Sequence, residues 1–145
     1  DKRRAQKMSI VPFLVPLVPV AAQAGYAISF NQTDFINRLK MYPIFPGIDH
    51  HGAIWRYFEI SGDSMEPTFK AGDYCLCSQV PKDDWPEIKD YYVYVIVTDE
   101  KVFIKRIVKR KAGKEWVIVS DNEKHGQFAI QVDQRDRERY RTQCR

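Results

Sequence analysis

Cysteine is scarce in this sequence: only Cys75, Cys77 and Cys144 are present. An odd count with a single C-x-C pair is not a disulfide framework. It also lacks the spaced ligand pairs of a zinc site. Reduced thiols in an intracellular, cytoplasmic chain are the expectation. No apolar run reaches the ~20 residues that a membrane-spanning helix needs. The metalloprotease pair H-E-x-x-H, the phosphate-cradling P-loop and the dinucleotide signature G-x-G-x-x-G are all missing. Metal and nucleotide chemistry therefore lack support, and neither a metal nor another cofactor is expected. There is no internal repeat and no low-complexity segment. Charge of one sign does not dominate: 23 Lys and Arg face 19 Asp and Glu, a formal net charge of +4. That balance permits an acidic partner without arguing for nucleic acid. The first residue is Asp1 rather than Met, so a partial or processed chain is expected.

What is present suits one packed domain. At 145 residues, a chain buries roughly 70% of its unfolded surface. Aromatic residues make up 13%, which fits a strand-rich fold. Short β-type runs, bounded by turn residues, span Ala53 to Ser61, Asp73 to Val80, Tyr91 to Thr98, Lys101 to Lys109, Glu115 to Ser120 and Phe128 to Val132. Their number and spacing predict a mostly β, largely antiparallel fold. At most one short helix is expected, over Thr33 to Lys40, capped by Thr33 or Asp34 and presenting Phe35, Ile36 and Leu39 on one face. Met41 to Gly52 holds Pro43 and Pro46 and reads as loop.

The amino-terminal stretch Asp1 to Lys7 is basic, and Ile10 to Ala24 is almost wholly apolar. The ending Ala22-Gln23-Ala24 superficially matches a secretory signal. Pro12, Pro16 and Pro19 interrupt the run, and proline removes a backbone donor and clashes with a preceding helical turn. The run is therefore expected to be extended and to lie along a groove or a sheet edge.

One segment has chemical interest: Ser61-Gly62-Asp63-Ser64-Met65-Glu66-Pro67-Thr68. Gly62 and Pro67 frame a turn that can present Ser64 with the backbone amides of Ser64 and Met65. A serine hydroxyl becomes a nucleophile when a base takes its proton, and paired amides can stabilise an oxyanion. Read alone, the segment is better explained as a capped turn. Lys105 lies in Val102 to Val108 (VFIKRIV), where alternation puts Phe103, Lys105 and Ile107 on one face. Such a lysine is either solvated at its tip or buried. In the second case its pKa falls and its amine can serve as a base, as in serine-lysine variants of the catalytic triad. His50 and His51 in the loop, and His125 after a turn, form no convincing alternative dyad.

Together ISGDSMEPTFKAGDYCLC, YYVYVIVTDEKVFIKRIV and WVIVSDN resemble the carboxy-terminal domain of LexA-type repressors. This is the self-cleaving serine-lysine peptidase family that includes phage repressors and UmuD-like proteins. The similarity runs from about Val15 to Val132. It implies Ser64 as nucleophile and Lys105 as general base. It also implies self-cleavage at a small-residue bond upstream. Ala24-Gly25 matches, 39 residues before Ser64 (64 − 25), with Ala21-Ala22 a weaker alternative. The resemblance divides the chain into a linker remnant (1–14), a cleavage-site segment (15–30) and a peptidase domain (31–145), with an upstream helix-turn-helix domain absent. The apolar run thus becomes the substrate, expected to dock as an extended strand.

The resemblance further implies a homodimer. The intact repressor would bind operator DNA through the absent domain. A RecA filament would stimulate cleavage in a DNA-damage-type response, with no membrane involved. Asp133 to Arg145 departs from the family: it is mostly charged, reads as a solvated tail, and leaves the usual dimer surface in doubt. Two other functions compete. A type I signal peptidase shares the serine and lysine motifs but needs a membrane anchor. A non-catalytic regulatory or dimerisation module would keep the fold without cutting.

Overall fold

Pro19 divides the apolar run into two unlike halves. A computed structural model describes residues 12–132 and 142–144. Before the proline, Leu14–Val18 forms strand β1. After it, Val20–Ala22 makes one 3-10 turn and Gln23–Ser29 forms helix α1. The expectation of an extended segment through Ala24 holds only as far as Val18. The reason is local composition. No proline follows until Pro43, and the alanine-rich stretch after Pro19 has high helix propensity. The helix also buries Tyr26 and Ala27.

The second helix, α2, spans Thr33–Asn37, inside the range expected from the sequence. Its cap position is Gln32, with no side-chain cap hydrogen bond, so neither Thr33 nor Asp34 has the anticipated capping role. Among the described residues two short α-helices therefore stand where at most one was expected, within a fold that is mostly β as anticipated.

The remaining strands are β2 (Met41–Pro43), β3 (Trp55–Glu59), β4 (Tyr74–Gln79), β5 (Val93–Val97), β6 (Val102–Arg110), β7 (Glu115–Val119), β8 (Phe128–Gln131) and β9 (Thr142–Cys144). Six fall within a residue or two of the runs read from the sequence. Met41 to Gly52 reads as loop in the sequence, but Met41–Pro43 forms β2; three residues long, it lies at the sheet edge beside β1, where Pro43 can be tolerated. β9 corrects the reading of the tail as solvated, since residues 142–144 pair with both β4 and β5. The other residues of the basic start and charged tail, 1–11, 133–141 and 145, lie outside the described residues.

The order across the sheet is β2-β1-β3-β4-β9-β5-β6-β7-β8. Among the described residues β1 and β3 pair in parallel and the other pairs are antiparallel. Period-two alternation sorts side chains between faces. On β5, Val95 and Val97 join a cluster with Phe58, Cys75, Cys77 and Tyr26. Tyr94 and Ile96 join Trp85, Ile107, Trp116 and Ile118 on the opposite side. A third cluster holds Val15, Trp55, Tyr57 and Leu76. Helices α1 and α2 cover the first of these, which sets α1 close to the end of β3 and to β6.

Candidate active site

The chain leaves β3 through Ile60 and makes a loop before β4. Its ends are tied by Ile60 N donating to Asp73 O at 2.8 Å and Gly72 N donating to Ile60 O at 2.9 Å. Gly62 has φ +69, a left-handed conformation that glycine adopts without the Cβ clash other residues meet. It reverses the chain so that Ser64 faces β6. Met65 is buried beneath the turn, and Phe69 N donates to Met65 O at 2.9 Å. The Ser64 and Met65 amides thus sit in a fixed loop.

β6 supplies Lys105. Its Nζ donates a hydrogen bond to Ser64 Oγ. The lysine is half-buried beside Phe103 and Ile104 in a cleft of about 170 Å³ that also admits Gln23, Ile60 and Met65. Burial holds its pKa below the ordinary lysine value, while the negative charge of Asp121 partly opposes that shift. The sequence left a solvated and a buried lysine open; the structure shows it half-buried, with its amine turned to Ser64.

Asp121, in the turn after β7, links the two halves of the site. Arg106 Nε donates to Asp121 Oδ1 at 2.6 Å and Arg106 Nη2 to Asp121 Oδ2 at 3.0 Å. Thr68 Oγ1, from the serine loop, donates to the same carboxylate. The Arg106 hydrogen bonds hold the Asp121 carboxyl below its usual pKa, with Thr68 adding to the effect. Asn122 secures the serine turn directly. Its backbone N donates to Ser64 O at 3.0 Å and its Nδ2 to Asp63 O at 3.1 Å. His125 Nε2 lies 2.6 Å from Asp63 Oδ1. The sequence does not single out Asp121 and Asn122 as site residues, because their contacts with the serine loop span more than fifty positions and leave no local pattern; His125, set aside there as a dyad partner, is placed beside Asp63. His50 and His51 stack near Phe13, away from the serine.

The expected cleavage site is placed differently from the expectation. Ala24 and Gly25 lie in the first turn of α1, not in an extended strand. Gln23, immediately before them, reaches the cleft of Ser64 and Lys105. Its Nε2 donates to Glu59 O at 2.7 Å, and Val20 N donates to Glu59 Oε1 at 2.9 Å. The segment is thus anchored beside the dyad but coiled. Gly25 has a packing role too: a Cβ there would sit 3.0 Å from Phe35 Cε2. Ala21-Ala22, the weaker alternative, falls in the 3-10 turn.

A half-buried lysine against a serine on a rigid turn, with two amides beside it, can perform acyl transfer at a peptide carbonyl. Residues 16–138 match the family described as peptidase S24-like. The chain belongs to this family, that of the LexA-type repressors. No individual curated protein matches it. Among the described residues no helix is long and apolar enough to cross a membrane.

Proposed function

We propose that this chain is the self-cleaving domain of a transcriptional repressor and that Ser64 and Lys105 cut its own Ala24-Gly25 bond. Neutral Lys105 takes the hydroxyl proton as Ser64 Oγ attacks the carbonyl carbon of Ala24. The Ser64 and Met65 amides stabilise the resulting oxyanion. Lys105 then delivers the proton to the Gly25 nitrogen, which leaves, and water hydrolyses the Ala24 ester on Ser64. The observation that carries this reading is the contact of the desolvated Lys105 amine with Ser64 Oγ.

Ala24-Gly25 is in helical form, so the first turn of α1 opens before attack. The family supports a regulatory context. On this reading residues 1–14 belong to a linker, 15–30 to the substrate segment and 31–145 to the peptidase. The intact repressor dimerises and binds operator DNA through a helix-turn-helix domain. RecA filament promotes cleavage in the cytoplasm. The dyad contact favours this reading over a non-catalytic module. The adjacent internal Ala24-Gly25 site favours it over a signal peptidase acting on other proteins. The test is incubation of the purified chain at alkaline pH, with and without activated RecA filament. Pieces 1–24 and 25–145 are expected, and Ser64→Ala and Lys105→Ala should each abolish them.

A further inference from the structure

At the opposite end of β3 from the serine turn lies a separate hollow of about 370 Å³. Its floor is the face of β3 and β4, and its roof is the junction between α1 and α2. Small-molecule sites begin at roughly this size, ~300 Å³. Arg56 enters it from β3 and Gln79 from β4, while Asn31, Gln32 and Thr33 come from the roof. No aspartate or glutamate is among the described residues lining it. The Arg56 guanidinium donates Nη1 to the neighbouring Trp55 O at 2.8 Å. Its Nε is buried and has no hydrogen-bond partner among the described residues. A buried cationic donor without an acceptor is costly, whereas a carboxylate beside a guanidinium makes strong charge-assisted hydrogen bonds. The rest of the wall is apolar or aromatic, including Tyr26, Ile54 and Val97.

We propose that this hollow binds a small organic carboxylate, its anionic end on Arg56 and its apolar body against Tyr26, Ile54 and Val97. A single guanidinium among neutral amides and hydroxyls balances one negative charge, which favours a carboxylate over a phosphate dianion. The same hollow is lined by Tyr26 of α1 and Phe30 at its end. Resting on the self-cleavage reading, an occupant would hold α1 in helical form and so keep Ala24-Gly25 from Ser64. The ligand would slow cleavage.

The binding test uses the whole chain with Ser64→Ala, so that cleavage does not enter. Phenylacetate, its neutral isostere phenylacetamide and inorganic phosphate are titrated separately and followed by backbone amide NMR. Phenylacetate should shift Gln32, Ile36 and Gln79 saturably and bind about tenfold or more tighter than the amide or phosphate. Arg56→Gln should abolish that preference while leaving amide signals away from the hollow in place. Equal binding of acid and amide would overturn the proposal, as would stronger binding of phosphate or shifts centred elsewhere. Absence of saturable binding would also overturn it, and loss of stability in Arg56→Gln would then mean that the chain itself supplies the anion. If that variant does not fold, the comparison of acid with amide on unaltered Arg56 still decides. In the chain with Ser64 intact, saturating phenylacetate should slow cleavage. An unchanged rate would remove the coupling but not the site. A chain that never cuts, yet binds as described, would remove the self-cleavage reading alone.

Discussion

In the proposed mechanism Lys105 acts as a base only in its uncharged form, and its surroundings pull its pKa two ways. Burial disfavours the ammonium, whereas the Asp121 carboxylate favours it. The net shift is downward, so self-cleavage should accelerate as pH rises and level off below the ordinary lysine range of ~10.4. A pH–rate profile checks this. Asp121→Asn removes the opposing charge and should move the rise to lower pH. It should also lower the plateau, because the amide keeps one acceptor oxygen where the carboxylate offers Thr68 and Arg106 two, which loosens the link between the serine loop and β6. The same carboxyl bears on stability. Its folded pKa is depressed by Arg106 and Thr68, so its contribution is present above the unfolded pKa of ~3.9 and lost as pH falls through the folded value. Urea unfolding near neutral pH should show Asp121→Asn to be less stable by about 1–3 kcal/mol, a difference that shrinks in acid. The motif around Ser64 and the period-two strand of Lys105 left each residue open in the sequence, and it was the family resemblance that paired them; the structure places the two in contact. Asp121 was not legible: nothing near it signals that it meets Thr68, which is 53 positions away in the chain.

The element that departs most from its sequence reading is α1. Three prolines dominated that reading, yet their influence ends at Pro19, and the residues beyond it coil and bury Tyr26. Propensity within the alanine-rich stretch was visible; the aromatic surface that rewards helix formation was not. Phe58 meets Tyr26 edge-on at 5.3 Å, and Phe35 closes over Gly25. If cleavage requires the first turn of α1 to open, helix stability sets the rate. Ile28 is 70% exposed, so it reports propensity with little packing. Ile28→Gly should speed cleavage relative to Ile28→Ala by about fivefold, from a propensity difference of roughly 1 kcal/mol. Equal rates for the two variants, followed by densitometry at fixed pH, would show that α1 does not gate the reaction.

At the scale of the whole molecule, the segment proposed as substrate begins in the sheet. β1 lies between β2 and β3, with Val15 and Val18 fully buried. Withdrawing it would expose side chains whose burial contributes about 1.5–3 kcal/mol each. Cleavage after Ala24 alone should therefore not release residues 1–24. The two pieces should co-elute in gel filtration and separate in denaturant, and Val18→Asp should let them part without it. Prompt separation of the unmodified pieces would mean that β1 leaves the sheet on cleavage. The central place of β9 is the other global feature the sequence concealed, since a charged tail gives no sign that three of its residues bridge β4 and β5. The proposed function depends on the Ser64–Lys105 pair cutting this chain. Intact-mass spectrometry after prolonged alkaline incubation tests it most directly. A single break between Ala24 and Gly25, absent in Ser64→Ala, is the predicted result. A chain that stays whole at high pH, even with activated RecA filament, would contradict it.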